Sequence, residues 1–183
     1  WTPCRWANGW LTLWWSEMLT PDRIREVLSY CPSTGTLTWK VTKSATAPAG
    51  SVAGSLNEHG HVNIQIDKTL YAAHQIVFLI HHGYLPCEID HIDQNKQNNR
   101  IDNLRPCTSS QNKGNIGLLR NNTSGYKGVS LNRRSGKYHA QIKIHGKQTY
   151  IGRFSDPKDA ALAYNAAALE HFGTFAWLNN VNT

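Results

Sequence analysis

The strongest constraint on this chain lies between Tyr71 and Asn115, where an apolar run gives way to a stretch too polar to bury a core of its own. Tyr71 to His82 carries Ala72, Ala73, Ile76, Val77, Leu79 and Ile80 and stops at Gly83, the pattern of a buried helix closed by a glycine C-cap. From Pro86 to Asn115 the chain is rich in Asp, Asn and Gln. A segment of that kind keeps a fixed shape only by leaning on apolar neighbours, so the helix is expected to back it.

Upstream, Thr20 followed by Pro21 reads as the cap and first position of a short helix with Ile24, Val27 and Leu28 on one face, running to about Tyr30. Residues 35–41 and the alternating His61-Val-Asn-Ile-Gln-Ile66 read as strands of a small antiparallel hairpin layer, joined by the small-residue connection from Ser44 to Gly54. The first seventeen residues hold five of the seven tryptophans, and the composition breaks at Met18, the sole methionine. Residues 1–17 are therefore expected to be an upstream extension outside the fold. The cysteines, Cys4, Cys31, Cys87 and Cys107, form no C-x-x-C pair, so buried or free thiols are expected and no structural zinc. No apolar run approaches the roughly 20 residues of a membrane span, which points to a cytoplasmic protein.

Asn121-Asn122-Thr123-Ser124-Gly125 is a turn-rich connection, and the domain boundary is expected near residue 119: a first domain over 18–119 and a second over 120–183. The second domain reads as three strands, Tyr126 to Leu131, Tyr138 to Ile144 and Thr149 to Phe154, with turns at Gly136 and Gly146. A helix follows, with Asp156 as cap, Pro157 first and Gly173 as stop, and with Ala160, Ala163, Tyr164, Ala167, Ala168 and His171 at helical spacing. Residues 120–183 hold nine Lys/Arg against three Asp/Glu, whereas the rest of the chain is nearly balanced at ten against nine. Such asymmetry suits a polyanion partner for the C-terminal part, since Lys and Arg that neutralise phosphates release condensed counterions.

The chemistry concentrates in Glu88-Ile89-Asp90-His91-Ile92-Asp93, Arg100-Ile101-Asp102-Asn103-Leu104-Arg105 and Thr108-Ser-Ser-Gln-Asn112-Lys113. Phosphodiester hydrolysis needs a hard cation on oxygen ligands and a base for the attacking water. Asp90 and the Asn112 amide oxygen are suitable ligands, and His91 titrates near neutrality. Neighbours on a strand point to opposite faces, so Asp90 and His91 can share a site only if the strand ends or bends there. Thr108 and Gln111 fit a capping box that starts a short helix with Asn112 on its first turn. Arg100 and Arg105 are either solvated charges or phosphate contacts. His74 on the apolar helix reads as a core histidine, and His59, His61, His81 and His82 have no ligand spacing.

Asp90-His91-Ile92, Asn99-Arg100-Ile101-Asp102-Asn103-Leu104-Arg105 and Gln111-Asn112 together resemble the HNH nucleases with a ββα-metal core, in particular the free-standing homing endonucleases of phages. The resemblance implies Asp90 and Asn112 as ligands of one Mg²⁺ or Mn²⁺, His91 as general base, and Asn103 as the residue that pins the loop and helps orient His91. It also implies cleavage to 5′-phosphate and 3′-hydroxyl ends. The zinc-binding cysteine pairs of many such proteins are missing here.

A second resemblance covers residues 124–178. Tyr126-Lys-Gly-Val129, Gly136-Lys-Tyr-His-Ala-Gln-Ile142, Tyr150-Ile-Gly-Arg-Phe154, Asp159 to Ala167, Phe172-Gly173 and Ala176-Trp-Leu-Asn179 are similar to the DNA-binding domain of plant ethylene-response factors (APETALA type). That likeness implies a sheet laid in the major groove of double-stranded DNA, with Lys127, Ser130, Asn132, Arg134, Gln141, Lys143, Gln148, Tyr150 and Arg153 as contacts. Ser130, Asn132, Gln148 and Tyr150 replace the arginines and tryptophans of the plant proteins, so their target preference is not expected to carry over. The fold expected is α+β: an N-terminal ββα-metal HNH nuclease core with a supporting hairpin and helix, then a three-stranded antiparallel sheet packed on one helix. The function expected is metal-dependent DNA cleavage at sites chosen by the C-terminal domain. The rival is a non-catalytic DNA-binding regulator built on a degenerate nuclease core.

Overall fold

The structure is a computed structural model that describes residues 19–181, and the expectations for Met18 and residues 1–17 lie outside them. The architecture is α+β, with four α-helices and small antiparallel sheets among the described residues. It divides into two compact units after Pro106.

The first unit opens with α1 (Pro21–Val27), whose start is fixed by the Thr20 hydroxyl accepting from the Arg23 amide at 3.1 Å and by Pro21 in the first turn. The helix stops at Val27 rather than near Tyr30. Residues Leu28–Cys31 instead form β1, antiparallel to β2 (Thr36–Trp39), with Leu28 opposite Trp39 and both side chains buried. Burying a large apolar side chain contributes ~1.5–3 kcal/mol, against the few tenths per residue that separate helix propensities, so pairing overrides local preference.

β3 (Ser55–Leu56), β4 (Val62–Ile66) and β5 (Thr69–Ala72) form a second sheet in that order. Asp67 and Lys68 both adopt positive φ in the two-residue turn between β4 and β5. β5 claims Tyr71 and Ala72, so α2 begins at Ala73 and runs to His82, ending at Gly83 with φ of 73°. Its face of Ala73, Ile76, Val77, Phe78 and Leu79 joins Ile24, Leu37, Trp39, Ile64 and Ile66 in one core, which also takes in Leu104. β6 (Glu88–His91), a 3₁₀ turn (Ile101–Asn103) and β7 (Leu104–Cys107) follow, with β6 and β7 paired. The apolar helix therefore belongs to the core that carries the polar segment.

The second unit contains α3 (Ser109–Asn115), a sheet in the order β10-β9-β8, and α4 (Pro157–Phe172). The strands are β8 (Val129–Asn132), β9 (Lys137–Ile144) and β10 (Lys147–Phe154). The division after Pro106 puts α3 in this unit, ahead of the boundary expected near 119. Close packing accounts for the grouping: a Cβ on Gly114 of α3 would fall 2.8 Å from the ring of Phe172 on α4. α4 buries Ala160, Ala161, Tyr164, Ala168 and Phe172 against Val129, Ala140 and Ile142, while His171, expected on that face, is exposed. Gly128 is required here, since its φ is +74° and a Cβ would lie 2.1 Å from the Tyr164 ring. Among the described residues no helix is long and apolar enough to cross a membrane.

Candidate functional site

β6 ends at His91, so the strand alternation that would send Asp90 and His91 to opposite faces stops there. The Ile92 amide donates to the Asn103 carbonyl at 2.9 Å, and the chain turns through Gln94, whose φ is 64° and whose amide donates to the His91 carbonyl. With the alternation broken, Asp90 and His91 are both buried, at 4% and 6% exposure. Ion pairing satisfies part of the Asp90 charge: Arg105 on β7 donates from Nε at 2.8 Å and from Nη2 at 2.7 Å to Asp90 Oδ2. Arg105 is thus tied to the Asp90 carboxylate rather than standing as a lone solvated charge. Arg100 pairs with Asp102 at the surface, Nη2 to Oδ2 at 2.6 Å.

The His91 ring is held by Asn99. Its Nε2 lies 3.2 Å from Asn99 Oδ1, and the Asn99 Nδ2 donates to the Gln97 carbonyl at 3.3 Å. That second bond fixes which end of the amide is oxygen. An amide oxygen only accepts, so Nε2 carries the proton and Nδ1 is the unprotonated nitrogen. Burial pushes His91 below the ordinary histidine value, against the opposing influence of the Asn99 bond and the charges of Asp93 and Asp90. The ring is neutral near pH 7, the state a base requires.

Asn103 secures the loop instead of touching the ring. Its Nδ2 donates to Asp93 Oδ1 at 2.8 Å and to the Asn98 carbonyl at 2.9 Å, while its Oδ1 accepts from the Asp93 amide. Burial works to raise the Asp93 pKa, but bonds from Asn98, Asn103 and the Asn95 amide bring it below the ordinary carboxylate value. The β1–β2 hairpin clamps the far side of this loop: Tyr30 Oη donates to the Asn99 carbonyl at 3.2 Å and accepts from the Ile101 amide at 3.0 Å. A Cβ on Gly35 would strike the backbone at Asn99 and Arg100, so the turn that presents Tyr30 needs glycine.

Two histidines that spacing did not single out stand beside the His91 ring. His61, preceding β4, and His74, on the first turn of α2, lie with centroids 5.9 and 5.2 Å from the His91 ring and 5.2 Å from each other. His74 is packed as a core histidine is, but against two other imidazoles, a contact that the spacing of His61 does not signal. Burial, then the proximity of His91 and His61, lowers His74 to about 3. Burial also lowers His61, helped by Lys96 and His91. Thirteen and seventeen residues separate the three positions in sequence, so no motif signals them. Of the thiols expected, Cys31 is free and exposed and Cys107 is buried, whereas Cys87 is disulfide-bonded and departs from that expectation.

Asn112 lies on the first turn of α3, in the second unit. The helix starts as expected: Thr108 Oγ1 accepts from the Gln111 amide at 3.2 Å, and Gln111 Oε1 accepts from the Thr108 amide at 2.8 Å.

In the same unit the sheet turns one face to α4 through Ala140 and Ile142, so alternation sends His139, Gln141 and Lys143 of β9 to the other. Register adds their cross-strand partners, Arg153, Tyr150 and Gln148 on β10, and Ser130 opposite His139 on β8. Asn132, opposite Lys137, extends the row. Arg134 is exposed in the β8–β9 turn. His139 stacks edge-on with Tyr150 at 5.7 Å, and Gln148 bonds to Gln141. His139 and Lys137 were missed as members of this face, although the alternation that places Gln141 and Lys143 also places them.

Lys127 departs from its expected place among the DNA contacts. Its Nζ donates to the Gly114 carbonyl at 2.6 Å and lies 5.9 Å from the ring centres of Tyr164 and Trp177. Burial brings its pKa down to about 8. The backbone is fixed as well, since the Lys127 amide donates to Asn179 Oδ1 at 2.6 Å and Asn179 Nδ2 donates to the Lys127 carbonyl at 3.1 Å. This lysine ties elements of the second unit together.

Residues 71–113 match the family model of an HNH endonuclease. The chain is 36% identical over 112 residues to an uncharacterized HNH endonuclease of Acanthamoeba polyphaga mimivirus, an overlap of 60% of this chain and 57% of that protein. It is 38% identical over 60 residues to Protein 3.8 of Escherichia phage T7, covering 33% of this chain and 50% of the phage protein. APETALA2-like protein 2 of Oryza sativa is 40% identical over 60 residues, 33% of this chain and 14% of the rice protein. The chain spans less than two thirds of each of these relatives. No solved structure matches.

Proposed function

We propose that this protein is a metal-dependent DNA endonuclease of the HNH homing type, hydrolysing phosphodiester bonds at sites selected by its second unit. The observation that carries the reading is the buried pair at the end of β6: Asp90 held by Arg105, beside a neutral His91 whose Nε2 is bonded to Asn99. It sits inside the segment that matches an HNH endonuclease family model.

The donor chemistry suits a hard divalent cation, Mg²⁺ or Mn²⁺, because Asp90 offers a carboxylate oxygen and Asn112 an amide oxygen. Bound there, the cation supplies charge neutralisation at the scissile phosphate and at the departing 3′ oxygen. His91 accepts the proton of the attacking water on Nδ1, and Asn99 keeps the ring in the tautomer that leaves Nδ1 unprotonated. Arg105 fixes the direction of the Asp90 carboxylate. The sheet face of Ser130, Asn132, Gln141, Lys143, Gln148, Tyr150 and Arg153, with Arg134 at its rim, contacts double-stranded DNA. Asn and Gln suit adenine edges, and Arg and Lys suit guanine or phosphate. The family-model match to an HNH endonuclease and the partial likeness to plant DNA-binding proteins support that substrate.

Incubation of plasmid DNA with the full chain and Mg²⁺ or Mn²⁺, with EDTA as control, tests the reading. Metal-dependent nicks or breaks are expected, and His91→Ala should reduce them ~10²–10⁴-fold, the usual cost of losing a general base. Tight DNA binding with no cleavage in either metal would replace the nuclease by a DNA-binding regulator.

A further inference from the structure

Three imidazoles from three separate segments of the chain come together. His61 precedes β4, His74 is on α2 and His91 ends β6, and one ring nitrogen from each lies within 4.8 Å of the other two. The Nδ1 atom of His61 is buried without a hydrogen-bond partner. Leaving a buried polar atom unmet costs ~1–3 kcal/mol, and a cation bound through Nδ1 would remove that cost. The three ring centroids form a nearly equilateral triangle with sides of 5.2, 5.2 and 5.9 Å.

We infer that His61, His74 and His91 form a second metal site, one that takes a borderline-soft divalent cation of the Zn²⁺ class and, by capturing His91, holds the nuclease inactive. The donor set argues for that class. Neutral imidazole nitrogens suit Zn²⁺, Cu²⁺ and Ni²⁺, whereas Mg²⁺ demands oxygen ligands and keeps its water, so the cofactor of the proposed reaction does not compete here. Three histidines with one open position is an established zinc arrangement. A tetrahedral ion with nitrogens at 2.0–2.1 Å needs them about 3.3 Å apart, so the rings must close by no more than about 1.5 Å, within reach of small side-chain rotations. Asp90 and Asp93, which act electrostatically on His91, offset the charge of the cation.

Metal binding at these rings stands independently of the reaction; the inhibition rests on the proposed role of His91. A neutral imidazole has a single basic lone pair, and one that binds a cation cannot take a proton from water.

The test uses the chelator-stripped full chain with Co²⁺ as a spectroscopic probe and Zn²⁺ in calorimetry, for wild type, His61→Gln and His74→Gln. The wild type should bind one Co²⁺ with the visible absorption of a tetrahedral site, and each variant should lose at least ~10-fold in affinity, the smallest loss common even for residues supporting a metal ligand. His61 is only partly buried, so His61→Gln keeps the test decisive if His74→Gln fails to fold. Unchanged Zn²⁺ affinity and Co²⁺ spectrum in His61→Gln overturn the site, as does absence of binding to the wild type. In Mg²⁺-supported plasmid cleavage, Zn²⁺ should inhibit the wild type over the range in which it binds, with inhibition of His61→Gln displaced at least ~10-fold higher. Cleavage that continues unslowed in Zn²⁺-saturated protein overturns the switch. Absence of cleavage in any metal refutes the nuclease reading, and the Co²⁺ spectrum then decides the site.

Discussion

Replacing His74 by Gln should flatten the acid sensitivity of the first unit by an amount that follows from one proton. The folded chain holds this ring at about 3, chiefly through burial and then through His91 and His61, against about 6.5 in an unfolded chain. The folded state therefore refuses a proton that the unfolded state accepts, and stability falls as pH drops from about 6.5 toward 3. The slope is about 1.4 kcal/mol per pH unit for one such group. At pH 5 the group lies about 1.5 units below its unfolded value, so His74 alone should cost about 2 kcal/mol relative to pH 7.5. His61 and His91 are shifted the same way and add to the wild-type slope, but they remain in the variant and cancel in the comparison. The assay is urea unfolding of both proteins at pH 7.5 and 5.0 with chelator present, read from the methyl resonances of Ile64 and Ile76 in the core of this unit. Any packing loss caused by Gln is the same at both pH values and subtracts out. Equal pH dependence in the two proteins, within about 0.5 kcal/mol, would refute the claim that His74 is buried neutral.

Asp90→Ala and Asn112→Ala should each abolish Mn²⁺-dependent cleavage and weaken Mn²⁺ binding in calorimetry while DNA binding in EDTA persists; unchanged Mn²⁺ affinity would remove the residue from the site. Arg105→Ala should destabilise the first unit by about 3–5 kcal/mol in urea, because it removes the ion-pair partner of a carboxylate that is 4% exposed. A loss under 1 kcal/mol, the ordinary worth of a surface pair, would show that solvent reaches Asp90. Arg134→Ala and Arg153→Ala should weaken DNA binding and make it less steeply dependent on salt, whereas Lys127→Met should leave the salt dependence near wild type because its ammonium is spent on the Gly114 carbonyl. Fluorescence anisotropy across a salt series separates the two outcomes.

Much of this protein is written locally in its sequence. Thr20, the Thr108 and Gln111 pair, Asp156 with Pro157, and Gly83 mark helix ends through contacts two to four residues long, and the structure uses all of them. Period-two alternation likewise fixes which side chains of β9 face away from α4, and the Asp90-His91 pair with its downstream asparagines is legible as a motif. What neighbouring residues cannot encode is a partner far along the chain. Leu28–Cys31 looks like the end of a helix until Trp39 is opposite it. Lys127 counts as one more positive charge until the Gly114 carbonyl claims it, and Arg105 looks free until Asp90 is found. Asn99 reads as one asparagine among several, yet it is the one that bonds the His91 ring. His61, His74 and His91 share no spacing; only the packing of α2 and the β3–β5 sheet around Ile64, Ile66 and Ile76 brings them together. Local hydrogen bonding and side-chain period set the elements and the motif, whereas the environment of each polar group is set by the burial of residues remote from it.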